Sequence, residues 1–361
     1  MESALLTLVV ALAGWLFIFR QPFFGASPSG ERLERIRRSP QFRMGSFQNL
    51  IPTSVQTKEF SVTKLLRSQL NPPPEKVPSR ALPVMTTDLY TDSKDTIIVW
   101  FGHSSYLLSV NGKKILIDPV FSGHAAPVSF FGKSFTGTDV YGPDSFHSLD
   151  AILITHDHYD HLDHKSIVQL KNKTKHFYTS LGVGAHLERW GVEPNRITEL
   201  DWWEHISMFE GIELIAAPAR HFSGRGLKRN NTLWSSFIVR REGLNLYLGG
   251  DSGYGPHFKD IGEKYGPFDL ALLECGQYNT MWPFIHMMPE EVVQASLDLK
   301  AKVLMPVHWG KFSLALHPWK EPANRVMNAA KAAQIRITTP RIGEPVIVNQ
   351  TYPRLRWWLE M

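Results

Sequence analysis

Ile154-Thr-His-Asp-His-Tyr-Asp-His161 is the stretch from which the rest of the chain can be read. Four residues of metal-ligating type, His156, His158, Asp160 and His161, fall within six positions, directly after the apolar run 149–154, which reads as a buried strand. Imidazoles two residues apart in an extended turn point the same way, so His156 and His158 can share one ion. A helix starting near Asp160, suggested by the run 162–170, puts Asp160 and His161 in its first turn, where they can hold a second ion. The plain alternative is a solvated, idle histidine-rich loop. It is disfavoured because four ligand types at this spacing stabilise nothing without an ion to bind them.

Bulk properties set the outer limits. A length of 361 residues accommodates one large domain with extensions, or two ordinary ones. With 43% hydrophobic and 20% charged residues the chain has the composition of a folded protein with a sizeable core. A net charge of +5 spread over this length, with no long basic stripe, gives no reason to expect a nucleic-acid partner. The single cysteine, Cys275, lies in the apolar run 270–275, which excludes a disulfide framework and a cysteine-based zinc site. Any metal must then be held by imidazole and carboxylate.

Residues 3–19 form an apolar stretch closed by Arg20. At about 1.5 Å per residue it reaches about 25 Å, within the accepted range for a spanning helix. Glu2, the lack of Lys or Arg before the stretch and the lack of a clear cleavage site argue against a secretory signal. Basic residues follow instead: Arg20, Arg32, Arg35, Arg37 and Arg38. The positive-inside rule then leaves the body on the cytoplasmic side. The expectation is a membrane-associated protein whose residues 1–20 are an anchor touching the bilayer through 3–19. An interfacial helix ranks second and a signal peptide third.

Residues 21–95 are proline-rich, which prevents a long helix or a central strand. They read as an arm with a helical piece at 62–69, packed over the following domain; a flexible spacer is the alternative. From residue 96 the texture turns to short strand-like runs at 97–101, 105–110 and 114–118, with Asn111-Gly112 as a hairpin turn. Further strands are expected at 151–154, 213–217, 236–240, 244–248, 270–274 and 303–307, and helices at 165–170, 183–190, 289–300 and 321–333. This is an α/β pattern of layered sheets covered by helices over residues 96–345. No repeat shows at a short period, and a two-half architecture masked by divergence stays open. In the tail, 346–361, the patch Leu355-Arg-Trp-Trp-Leu359 is expected to dock on the core in preference to lipid.

Two ions need more ligands than the opening cluster supplies. His221, Asp251 and His308 each stand just past a strand-like run, and Gly249, Gly250 and Gly253 around Asp251 let backbone approach closely. Singly each reads as a capping aspartate or a core histidine; with the first cluster they complete two ligand sets.

In that order, His156-x-His158-x-Asp160-His161, His221, Asp251 and His308, the sequence resembles the metallo-β-lactamase-fold hydrolases. Trp100-Phe-Gly-His103, Glu199-Leu-Asp-Trp-Trp-Glu204, Gly250-Asp-Ser-Gly-Tyr254, Tyr265-Gly-Pro-Phe-Asp-Leu270, His286-x-x-Pro-Glu-Glu291 and Val307-His-Trp-Gly310 narrow it. They are similar to segments of N-acylphosphatidylethanolamine-hydrolysing phospholipase D and its bacterial relatives. The resemblance covers about residues 95–345.

What the resemblance implies is an αβ/βα sandwich with two zinc ions at one edge. His156, His158 and His221 are implied to hold the first, Asp160, His161 and His308 the second, with Asp251 bridging. Asp118 and His103 are implied to brace the ligands from behind, although Asp118 reads equally well as a strand-end turn residue. His286 and His317 correspond to histidines at the substrate mouth, placed for phosphate contact or leaving-group protonation, and Asp160 to a residue that also orients the nucleophile. Tyr159, Arg220 and Arg225 are candidate substrate contacts, since Arg readily neutralises phosphate, with a structural role as the alternative for either arginine. His164 falls outside the ligand set and is expected to be solvated. The implied activity is a zinc-dependent phosphodiesterase of phospholipase D type that releases phosphatidic acid and N-acylethanolamine from a membrane phospholipid. A hydrolase of a soluble lactone, ester or cyclic phosphate is the alternative, and a zinc-stabilised scaffold without catalysis is the reading from another class.

Overall fold

A computed structural model describes residues 20–361 apart from 64–66, 68 and 69. The expected anchor at 3–19 therefore lies outside the described residues, as does most of the helical piece expected at 62–69. Among the described residues no helix is long and apolar enough to cross a membrane.

The arm enters as helix α1 (Gly30–Arg38) and a hairpin of β1 (Phe42–Arg43) and β2 (Ser46–Phe47). It is fastened to the rest at several points. Arg32 sits 2.7 Å from Glu188 and 2.8 Å from Glu199, and Phe47 is buried in a small core with Leu181, Trp202 and Trp234. Thr57 N donates to Met281 O at 2.9 Å. These contacts pack the arm against the body, as a spacer would not.

The first sheet is built from β3 (Ile97–Trp100), β4 (Tyr106–Val110) and β5 (Lys113–Ile117), an antiparallel meander, followed by β6 (Leu149–Ile154), β7 (Thr174–Ser180) and β8 (Ile197–Leu200), which add on in parallel. Asn111 and Gly112 turn β4 into β5 with φ of 49° and 71°, the left-handed pair that a tight hairpin requires. Parallel strands need crossovers, supplied by α2 (His164–Leu170) and α3 (Gly184–Arg189). The second sheet repeats the scheme. Strands β9 (His205–Phe209), β10 (Ile212–Pro218), β11 (Ser235–Arg241) and β12 (Leu244–Gly250) are antiparallel, and β13 (Leu270–Glu274) and β14 (Leu304–Val307) join in parallel. Their crossovers are α4 (His257–Tyr265) and α5 (Pro289–Asp298); α6 (Glu321–Ala332) packs on α5. Strand β15 (Pro345–Ile347) closes on β3. Meander followed by parallel units, twice, is the two-half architecture that the sequence left open.

One contiguous core joins residues of both sheets. Strand β13 is buried along its length and β6 nearly so, which is why both read as apolar runs and not as alternations. The tail adds to this core: Trp357 is buried and stacks on Trp309 at 5.3 Å, so the aromatic patch docks. The sheets bring Asp118, His156, His221, Asp251, Glu274 and His308, each just past or at the end of a strand, to one edge of the molecule.

Candidate metal centre

The centre is assembled on the turn between β6 and α2. Asp118, at the end of β5 with φ of 41°, lies beside Thr155 because the two strands are parallel. It accepts from Thr155 N at 2.8 Å and Thr155 Oγ1 at 2.7 Å, and takes His161 Nδ1 at 2.7 Å. The chain then folds back, with His161 N and Leu162 N both donating to His158 O. Asp160 and His161 thus sit in a turn, not in the first helical turn as the sequence suggested. The reason is Asp163: its carboxylate caps Lys165 N and Ser166 N, so the helix begins at His164.

Two donor sets result. His156, His158, His221 and Asp251 each place a ligand atom within 4.8 Å of the others, and so do His103, Asp160, His161 and His308. In the first, His158 Nδ1 is 3.0 Å from His156 Nε2 and 3.1 Å from His221 Nε2. Asp251 stands between the sets: Oδ1 is 3.2 Å from His161 Nε2 and 3.1 Å from His308 Nδ1, while Oδ2 is 3.8 Å from His156 Nε2. His103 grips Asp160 Oδ2 at 2.9 Å and packs on the His308 ring at 4.0 Å. His221 is held from outside by a residue of the arm, since Asn49 bonds both its backbone N and O, and its Nδ1 donates to Ile285 O.

Whether these groups fit a metal is decided by what they lack. His161 Nε2 and Asp251 Oδ1 are buried at the centre 3.2 Å apart but not aligned as a hydrogen bond, and neither has another hydrogen-bond partner among the described residues. Each such atom costs about 1–3 kcal/mol when left unpaired, a cost that coordination of a cation removes. Burial first, and then the neighbouring imidazoles, hold His156, His221 and His308 well below the usual histidine range, and burial pushes His158 down to about 4. Neutral imidazole is the form that ligates. Burial also pushes Asp251 up to about 6 against the pull of His161, the mark of a carboxylate short of positive charge. Nitrogen and oxygen donors without thiolate suit several divalent first-row metals, zinc among them.

The centre opens into a cavity of about 320 Å³ lined by His158, Asp160, Asp251, His286 and His308 on the metal side. Of the residues the sequence placed at the mouth, only His286 reaches it. His317 turns away: its Nε2 accepts Gln277 N at 3.0 Å and its Nδ1 donates to Pro318 O, so it props the Gln277 turn. Arg225 is buried beneath the metal loop, donating to Asp157 O and Leu162 O at 2.7 Å each and to Phe23 O. Tyr159 donates to Arg225 O and covers its guanidinium at 4.1 Å. Arg220 bonds Thr53 and Tyr254 O and lies over Phe284. Neither arginine nor the tyrosine lines the cavity; backbone carbonyls claimed the guanidinium groups that the sequence left available for phosphate. His164, expected in water, is half-buried against Trp190 at 5.1 Å.

The sequence missed the cavity's own cation, Arg229, exposed over Phe222 at 5.3 Å. In Arg225-Gly-Leu-Lys-Arg229 three cations lie close together, and nothing local tells which one faces the site. Val55, Gln56 and Phe60 of the arm and Trp282 complete the wall, contributions that only long-range folding reveals. Glu274 was also missed, although a carboxylate ending an apolar strand, close to where candidate ligands stand, was a usable signal.

The chain matches the Beta-lactamase superfamily domain over residues 113–309. It is 40% identical over 337 residues to an uncharacterized protein of Mycobacterium tuberculosis, covering 89% of this chain and 88% of that one. It is 32% identical over 258 residues to N-acyl-phosphatidylethanolamine-hydrolyzing phospholipase D 1 of Caenorhabditis elegans, 67% of this chain and 72% of that protein. In fold it is similar to a metallo hydrolase of the archaeon Ignicoccus hospitalis, with a TM-score of 0.54 at 22% identity, covering 71% of this chain and 99% of the other.

Proposed function

Because the chain belongs to the metallo-β-lactamase superfamily of metal-dependent hydrolases, we propose that it is a phosphodiesterase of phospholipase D type. Its substrate in this reading is an N-acylated phosphatidylethanolamine, cleaved to phosphatidic acid and N-acylethanolamine. The observation that carries the reading is the cavity. Ligand atoms form its floor, while Val55, Phe60, Phe222, Trp282, Ile285 and Leu314 give it apolar and aromatic walls and Arg229 a single cation. That is the shape of a site for an amphiphile with a phosphate at its polar end. The relative from Caenorhabditis elegans, named for this activity, supports the same choice.

His156, His158 and His221 would hold one ion and Asp160, His161 and His308 the other, with Asp251 between them. Two divalent ions, zinc in this reading, supply activation of water near neutral pH and charge neutralisation at the phosphoryl group. The chain's own groups do the rest. Asp160, fixed by His103, orients the attacking water. His286 faces the oxygen on the N-acylethanolamine side, and Arg229 meets the phosphate charge. A bond forms from the water oxygen to phosphorus, the bond from phosphorus to the N-acylethanolamine oxygen breaks, and that oxygen takes up a proton. We also propose that residues 3–19 keep the enzyme at the cytoplasmic face of the bilayer, which membrane fractionation of the full chain tests.

The deciding experiment is release of N-acylethanolamine from vesicles by purified protein of known metal content. Turnover is expected with metal and not after chelation. A metal-loaded protein that leaves this lipid intact but opens a soluble lactone or ester overturns the reading.

A further inference from the structure

Glu274 ends β13 with a side chain wholly out of solvent. Its Oε1 accepts Ser252 N at 2.8 Å, and its Oε2 lies 2.9 Å from His286 Nδ1. Asp251, Glu274, His286 and His308 also bring ligand atoms within 4.8 Å of one another, but both oxygens of Glu274 are already engaged. It is therefore a hydrogen-bond partner here and not a further metal ligand. His286 needs one. It comes from an irregular loop, and its remaining ring contacts are with His308 at 5.4 Å and His221 at 5.1 Å, neither of which fixes which nitrogen faces the cavity.

We propose that Glu274 is the positioning residue for His286, holding Nδ1 so that Nε2 faces the substrate oxygen in the cavity. The proposal rests on the hydrolase reading above. Since Glu274 also holds Ser252, next to Asp251, one carboxylate sets the spacing between the metal centre and His286.

The test is a double-mutant cycle on bis(p-nitrophenyl) phosphate with metal content measured for each protein. Glu274→Leu is expected to lower kcat about 10–100-fold with KM and metal content nearly unchanged. Glu274→Gln, which keeps an acceptor and the shape, is expected to recover most of that loss. In the His286→Ala background Glu274→Leu is expected to cost far less than it does in the wild type, only what its hold on Ser252 contributes. Multiplying losses, or a loss confined to KM or to bound metal, overturns the proposal. A second readout is independent of turnover. The imidazole ¹⁵N signals of His286, identified by their absence in His286→Ala, are expected to move in Glu274→Leu, where Nδ1 loses its partner, and far less in Glu274→Gln; signals unchanged in Glu274→Leu overturn the pairing. Should wild-type protein leave the diester intact, the phosphodiesterase reading fails while these signals still decide the role of Glu274.

Discussion

Asp118 and Asp251 are both buried carboxylates at strand ends, and their surroundings give them opposite jobs. Asp118 has its oxygens filled by Thr155 and His161, so it is a brace that fixes the His161 ring and leaves Nε2 for an ion. Asp251 has an oxygen without a partner and is pushed up to about 6 by burial, so it lacks a cation. Asp118→Asn keeps the shape but turns one acceptor into a donor facing Thr155 or His161. Weakening of metal affinity by about 10–100-fold is expected, read by competition with a chelator. Asp160 combines both jobs, held by His103 while facing the cavity. Asp160→Asn is expected to lower N-acylethanolamine release by about 100-fold or more while the thermal midpoint stays close to wild type, since the side chain is isosteric and one ionic ligand is lost. Near-normal turnover in that variant would count against the whole site.

At the scale of elements, what the sequence revealed follows from how each one is solvated. β6, β13 and β14 carry buried apolar runs, and β4 and β5 announce themselves through Asn111-Gly112; all were legible. β7 was not, because Thr174-Lys-His opens it with polar side chains and Lys175 is exposed. β9 sits at the sheet edge with His205 and Ser207 outward, and α4 carries Gly262 in its interior, which weakens a helical reading. That glycine is there for contact: a Cβ on it would lie 2.0 Å from Asp298 O. The candidate ligands were legible because a strand end is a local feature, whereas the fate of Arg220 and Arg225 depends on carbonyls far away in sequence. α1 depends on distant contacts too, among them Arg32 between Glu188 and Glu199. Its hydrogen bond is the main reason the Glu188 carboxyl is held below its usual range. A depressed carboxyl contributes stability above the unfolded value near 4.5, lost as pH falls through the lower folded value. Arg32→Ala leaves the buried Glu199 with its backbone donors but without its cation and is expected to cost about 2 kcal/mol near neutral pH. The gap from wild type, followed by urea unfolding, is expected to narrow in acid; a gap independent of pH would show that the ion pair is not its source.

For the whole molecule the question is how far the arm belongs to the catalytic machinery. Asn49 clasps the backbone of His221 on both sides, Phe23 O receives the guanidinium that supports the metal loop from below, and Phe60 lines the cavity. The turn that carries the candidate ligands is thus built on the sheets but held, through Arg225, by Phe23, which precedes it by more than a hundred residues. Residues 1–19 include none of these three residues, which makes two truncations diagnostic. If residues 3–19 keep the enzyme at the bilayer as proposed, removing 1–19 is expected to leave kcat on bis(p-nitrophenyl) phosphate within about twofold while lowering turnover of vesicle-borne lipid. Extending the deletion through residue 52 takes away Asn49, Phe23 and the buried Phe47. It is expected to cost about tenfold or more in kcat on the same soluble diester, with a lower thermal midpoint and weaker metal retention, because a ligand has lost its hold and a small core its centre. If the longer deletion hydrolysed the soluble diester as well as the full chain does, the arm would be a cover on the surface, and the grip of Asn49 on His221 would have no part in catalysis.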